Sequence, residues 1–168
     1  MLYEYGVKKG MQVEEFRGSY EYMNNFYPCT IEFRGLTFKC AEAAYQAQKC
    51  KNDEDKVRFT EYSGWKAHVE GRRVDIVDNW NDIKIPTMQE VVFAKFTQDD
   101  WCKKRLMQLQ PGTLSINGNS KGDMFWGMDT KTKEGPNHLG NCIMKVRDIF
   151  VRAGLCEDIN IPYPKYVG

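Results

Sequence analysis

Cys29-Thr30-Ile31-Glu32-Phe33-Arg34-Gly35-Leu36-Thr37-Phe38-Lys39-Cys40 runs straight into Ala41-Glu42-Ala43-Ala44-Tyr45-Gln46-Ala47-Gln48-Lys49-Cys50, and the change of period between them decides the fold class. In the first run Ile31 and Phe33 alternate with polar neighbours, Arg34-Gly35 offers a turn, and Leu36 and Phe38 resume the alternation. That pattern is a β-hairpin. From Cys40 the period becomes helical: Glu42, Tyr45, Gln46 and Lys49 share one stripe, with Cys40, Ala43, Ala44, Ala47 and Cys50 on the opposite side. Small residues let a neighbour pack close, so this helix is expected at the centre of the fold, with its polar stripe lining a cavity. A solvated Glu-Gln-Lys ladder is the competing reading. A hairpin feeding a series of helices makes the expected class α+β, a helix-rich single domain with a small N-terminal β-hairpin or sheet.

Further along, Asn52 with Asp53, Glu54 and Asp55 reads as an N-cap and first turn. Ser63 opens a short helix that stops at Gly71, followed by Arg72 and Arg73, two cations suited to a phosphate or to solvent. Pro86-Thr87-Met88-Gln89-Glu90 reads as a helix start with a capping box from Thr87 to Glu90, and Met88, Val91, Val92 and Phe96 as core. Thr97 to Gln110 is expected to be another helix, with Trp101 and Leu106 or Leu109 inward. Asn137 is expected to cap the last long helix, which carries Leu139, Ile143, Val146 and Phe150 and ends near Gly154. The tail Ile161-Pro162-Tyr163-Pro164 reads as extended. The organisation expected is one domain over 1–168, with a core over about 16–153 and an extended tail over 154–168.

The 168 residues carry 28% charged and 42% apolar side chains and a formal net charge of +1. These values suit a globular protein without the global basic field of many nucleic-acid binders, although a local patch would still suffice. No run of about 18 apolar residues appears, so no membrane helix is expected. The N-terminus lacks the apolar core of a signal peptide. Six scattered cysteines form no CxxC pair and read as reduced thiols in a cytoplasmic setting. With only His68 and His138 available, no metal is expected. No cofactor is expected either.

Gly118-Asn119-Ser120-Lys121-Gly122-Asp123-Met124-Phe125-Trp126-Gly127, followed by Gly135-Pro136-Asn137-His138-Leu139-Gly140, has little hydrophobic periodicity. Its glycines allow positive φ and close backbone approach. A carboxylate, a tryptophan and an asparagine among them suit the wall of a small-molecule pocket. The spacing of Asp123 and Trp126 puts both on one side of a tight turn.

Several motifs occur in register: Tyr22-Met23-Asn24-Asn25-Phe26-Tyr27-Pro28, Gly35, Ala41 to Lys49, Gly71-Arg72-Arg73, Trp80, Lys95-Phe96, Gly118-Asn119, Asp123 to Gly127, Asn137 to Gly140, and Met144-Lys145-Val146-Arg147. Together they resemble the NADAR superfamily, also called YbiA-like proteins, from about Phe16 to Arg147. The resemblance implies hydrolysis of an N-glycosidic bond at ribose carbon 1. The implied substrate is a phosphorylated ribosylamino-pyrimidine, a small nucleotide-like molecule of riboflavin biosynthesis, or ADP-ribosylated guanine in nucleic acid.

The residue types fit that reaction. Breaking a ribosyl C–N bond builds oxocarbenium character, which a carboxylate stabilises. Glu42 or Asp123 fits this role, with the other handling protons. Lys49 suits neutralising a phosphate, protonating the leaving group or forming an imine with an opened sugar. Trp126, Trp80 and Phe26 offer flat faces for a base. Asn25 and Asn137 suit ribose hydroxyls, and Arg72 and Gly127 complete the expected substrate contacts. Asn117 stands where many members carry Glu, and Ala43 where many carry His. Those departures motivate the alternative of a non-catalytic module binding an ADP-ribose- or NAD-like nucleotide.

Overall fold

The computed structural model of the chain describes residues 12–13, 15–109, 114–115, 118–119 and 123–155. In chain order the elements are β1 (Gln12–Val13), a 3-10 helix (Gly18–Met23), β2 (Pro28–Phe33), β3 (Leu36–Cys40), α1 (Ala41–Ala47), α2 (Asp53–Arg58), a 3-10 turn (Phe59–Glu61), α3 (Gly64–Glu70), α4 (Trp80–Gln98), α5 (Asp100–Met107), β4 (Leu114–Ser115), β5 (Gly118–Asn119), β6 (Met128–Asp129) and α6 (His138–Arg152). This is the helix-rich α+β class expected from the sequence. The chain falls into two compact units, Glu21–Lys103 and a second drawn from 1–20 and 104–168. The expectations placed on Asn117, Cys156 and the tail Ile161–Pro164 lie outside the described residues.

In the unit Glu21–Lys103, β2 and β3 pair antiparallel through Phe33↔Leu36 and Ile31↔Phe38. Arg34 (φ 49°) and Gly35 (φ 84°) both take positive φ, the requirement of a tight turn whose twist matches the flanking strands. The alternation then buries Cys29, Ile31, Phe33, Phe38 and Cys40 on one face. Helix α4 packs on β2, and α1 packs on β3, α3 and α4. Gln98, at the end of α4, closes the edge of β2: its Oε1 accepts from Glu32 N at 2.7 Å and its Nε2 donates to Glu32 O at 2.9 Å. A side-chain amide thus supplies the two bonds that a neighbouring strand would make.

Helix α1 is buried over all seven residues, with its first turn capped by Cys40 Sγ accepting from Ala43 N. It ends at Ala47, so Lys49 lies beyond the helix rather than on its stripe. Strand-like pairing takes over there: Cys50 bridges Ile76, Lys51 N donates to Asp75 O at 3.0 Å, and Val77 N donates to Lys49 O at 2.9 Å.

Two other expectations are corrected. Helix α4 starts at Trp80, leaving Pro86 in its interior and Thr87 buried rather than capping. Trp80 is buried against Tyr45, ring centroids 5.2 Å apart, and that packing holds the extra N-terminal turns despite a proline that forgoes one helical bond. Helix α5 starts at Asp100, with Asp99 Oδ1 accepting from Cys102 N at 2.8 Å. That capping turns Cys102 and Leu106 inward and leaves Trp101 55% exposed, against the inward position expected.

In the second unit β1 pairs parallel with β4, and β5 with β6. Helix α6 buries Leu139, Ile143, Val146 and Phe150 at helical spacing and closes at Gly154 (φ 71°). Asn137 precedes α6 in the left-handed region (φ 52°), and its side chain makes no capping bond. The backbone conformation, rather than a side-chain cap, turns the chain into the helix.

Among the buried polar side chains of the first unit, Lys95 has no exposed surface. Its Nζ donates to Asn24 O at 2.9 Å and lies over the Tyr27 and Phe96 rings at 5.6 and 5.3 Å. Burial pulls its pKa below the ordinary lysine value of 10.5. Between the lowered value and 10.5 the unfolded chain therefore holds more protons than the folded one, so Lys95 contributes stability that grows as pH rises. Urea melts from neutral to alkaline pH should show wild type gaining stability relative to Lys95→Met; a flat or falling difference would refute the assignment.

Candidate active site

The unit Glu21–Lys103 holds six residues expected from the sequence: Asn25, Phe26, Glu42 and Arg72 about the first turn of α1, and Lys49 with Trp80 towards its far end. Glu42 is 6% exposed, and its backbone N–H donates to Asn25 O at 2.9 Å, tying α1 to the turn before β2. That turn is itself held: Phe26 N donates to Asn24 Oδ1 at 2.8 Å, and Asn25 Nδ2 donates to Met88 Sδ at 3.2 Å. Gln46, one turn after Glu42, donates from Nε2 to Glu42 Oε1 at 2.8 Å. His68 Nδ1 lies 3.3 Å from the same oxygen. Its Nε2 lies 2.9 Å from Arg72 Nη2, one turn further along and beyond the end of α3.

The imidazole is held by rings as well. Trp65 stacks on His68 at 6.0 Å and 25°, and Phe26 tilts against it at 5.8 Å. Lys49 Nζ lies 5.8 Å from the centroid of the Trp80 ring. Lys49 and Glu42 make no direct bond, but they act on each other through space. Burial lowers the Lys49 pKa, the Glu42 charge opposes that shift, and Arg72 adds to it. The arrangement is a buried carboxylate between an amide and an imidazole, with the cations of Lys49 and Arg72 and the rings of Phe26, Trp65 and Trp80 about them. It offers no thiol nucleophile: burial pushes Cys29 and Cys50 up to about 11 and Cys102 up to about 12, and raises Cys40.

Among the buried acceptors of this unit without a hydrogen-bond partner are Asn25 Oδ1 and Gln46 Oε1. Glycines allow close approach beside Phe26 and the Gln46 amide. A Cβ at Gly64 would meet Phe26 Cα at 2.7 Å, and a Cβ at Gly71 would run into Gln46 Oε1.

The second unit holds Asp123, Trp126, Gly127 and Asn137. Asp123 Oδ1 accepts from Phe125 N at 3.3 Å and Trp126 N at 3.0 Å, so the carboxylate organises its own turn. Trp126 meets Phe125 edge-on at 4.9 Å and His138 at 6.2 Å. Gly127 O accepts from Asn137 N at 3.1 Å, and a Cβ at Gly135 would meet that oxygen at 2.7 Å.

His68 is the residue that sequence reading passed over. Its helical spacing to Arg72 was readable, but the contact with Glu42 spans 26 positions and no local pattern signals it.

The NADAR domain profile matches residues 13–151. The chain belongs to the NADAR domain family. It is similar to a riboflavin biosynthesis protein of Vibrio vulnificus, 31% identical over 140 residues, covering 76% of this chain but only 35% of that protein. An N-glycosidase of Nostoc punctiforme is 28% identical over 135 residues, 77% of this chain and 85% of the relative. The Escherichia coli N-glycosidase YbiA is 26% identical over 128 residues, 74% of this chain and 78% of the relative. The solution structure of the E. coli YbiA protein superposes with a TM-score of 0.75 at 23% identity, over 95% of this chain and 96% of that one, a likeness of fold.

Gly71 separates the site from the scaffold experimentally. Its φ of −62° is ordinary for alanine, so Gly71→Ala gains about 0.4–1 kcal/mol from the unfolded chain. The new methyl displaces the flexible Gln46 amide, which then loses its bond to Glu42. Thermal melts should change little while ligand binding or turnover falls; a variant equal to wild type in both would show that Gln46 is dispensable.

Proposed function

We propose that this chain is an N-glycosidase, a hydrolase that adds water across the ribosyl C–N bond of a nucleotide-like substrate. The observation that carries the reading is the setting of Glu42, a carboxylate 6% exposed, bonded by Gln46 and His68 and accompanied by the cations of Lys49 and Arg72. Membership of the NADAR family and the N-glycosidase names of its relatives support it.

On this reading the C1–N bond breaks with its electron pair leaving on nitrogen, and positive charge develops on the sugar. Glu42 stabilises that charge and takes a proton from the water that adds to carbon 1. The leaving nitrogen needs a proton. Lys49, with its pKa lowered by burial, supplies it or meets a substrate phosphate. Arg72 serves an anionic group, and Phe26 and Trp80 offer ring faces to the base. The Asn25 amide, with its unpartnered Oδ1, accepts from a ribose hydroxyl. The roles of Asp123 in proton handling, and of Trp126, Gly127 and Asn137 in substrate contact, rest on sequence motifs alone.

Two substrates fit this chemistry: a phosphorylated ribosylamino-pyrimidine as a free small molecule, and ADP-ribosylated guanine in nucleic acid. Incubation with each, read by mass spectrometry for release of the sugar, decides between them. Glu42→Gln should retain the fold by circular dichroism and lose on the order of a hundredfold or more in kcat. Tight binding of either compound without cleavage by the wild type would replace this reading with the non-catalytic binding module. Asp123→Asn, tested beside it, should lose turnover if that carboxylate handles protons and keep it if Asp123 only sets its own turn.

A further inference from the structure

We propose that His68 is the positioning residue of the Glu42 carboxylate, held in one tautomer by Arg72. A guanidinium carries only donors, so the Arg72 Nη2 that sits 2.9 Å from His68 Nε2 must meet a lone pair there. The imidazole is then neutral with its proton on Nδ1, and Nδ1 is the nitrogen that faces Glu42 Oε1 at 3.3 Å. Arg72 thereby sets the direction of the second hydrogen bond: His68 donates to Glu42.

The consequence falls on the two carboxylate oxygens. Oε1 takes both described side-chain bonds, from His68 Nδ1 and Gln46 Nε2, so its lone pairs are directed away from the reaction. Oε2 carries the reacting lone pairs. Trp65 stacked on one side of the imidazole and Phe26 tilted against it fix the plane of the ring, so the donor cannot swing away from Oε1. Neutral and bonded at both nitrogens, His68 accepts no proton in the reaction. It sets the angle at which Glu42 meets water or sugar, and a misplacement of about 1 Å at such a group costs on the order of a hundredfold.

The inference deepens the glycosidase reading and rests on it for its kinetic half only. The structural half is tested without substrate. Long-range proton–nitrogen correlation spectra of histidine-labelled protein at mildly alkaline pH should show His68 protonated at Nδ1, the less common tautomer of free histidine. Arg72→Met removes the donor to Nε2 and should let that nitrogen take a proton as well, so the spectra change at Nε2 while Nδ1 stays protonated towards Glu42. An Nε2–H tautomer or an imidazolium in the wild type would overturn the proposal.

In the kinetic half, His68→Ala should lower kcat about a hundredfold with KM nearly unchanged. His68→Asn, whose Nδ2 lies where Nδ1 does, should recover most of that loss, and His68→Gln should not. Equal impairment of the Ala and Asn variants, at matched melting temperature, would overturn the positioning role. Absence of turnover by the wild type on both substrates would instead sink the glycosidase reading, and the tautomer and its dependence on Arg72 would then decide the proposal alone.

Discussion

The hydrogen bond from Lys95 Nζ to the Asn24 carbonyl is the constraint on which the site depends. An ammonium taken fully out of water costs several kcal/mol even after the protein relaxes around it, so it persists only where its surroundings compensate. Here the compensation is one carbonyl and the faces of Tyr27 and Phe96. The cost enforces geometry. Any shift of the Asn24 turn away from α4 would leave the charge buried without its acceptor. From that anchored turn the order propagates: Asn24 Oδ1 holds Phe26 N, Asn25 O receives the Glu42 N–H, and the first turn of α1 is placed.

Burying a polar group this deeply requires missing side chains around it. Ala43, Ala44 and Ala47 let α1 sit against its neighbours, Gly64 lets α3 touch the backbone of Phe26, and Gly71 leaves space for the Gln46 amide. The same closeness leaves Asn25 Oδ1 and Gln46 Oε1 without a protein donor. An unbonded buried acceptor costs roughly 1–3 kcal/mol, a cost that a ligand or water hydroxyl removes on binding. The site thus keeps open acceptors beside Glu42, the pattern expected where stability and function compete.

The sequence made legible what is local. The hairpin, its positive-φ turn, the caps at Asn52 and Ser63 and the stripe of α6 all follow from residues within a few positions of one another, and each is found where expected. The misreadings share a different cause. Pro86 resembled a helix start because proline favours that place, and only the packing of Trp80 on Tyr45, 35 positions away, carries the helix further back. Trp101 resembled core because tryptophan usually is, yet the cap at Asp99 sets the helical phase and turns it outward. In the site, Glu42 and Gln46 were legible as one stripe. The bridge at Cys50 that ends α1 before Lys49 was not, nor was the imidazole that reaches Glu42 from α3.

That imidazole bears on how Glu42 is held. Position 43 holds a fully buried alanine, and a histidine on another helix approaches the preceding glutamate. The source of the donor changes what surrounds it: His68 arrives with Arg72 bonded behind it and Trp65 stacked upon it, whereas a histidine on α1 would have had to fit the close packing that Ala43 now permits. Ala43 is fully buried on the face of α1 opposite Glu42, so the close packing there and the bond from His68 serve different sides of the helix.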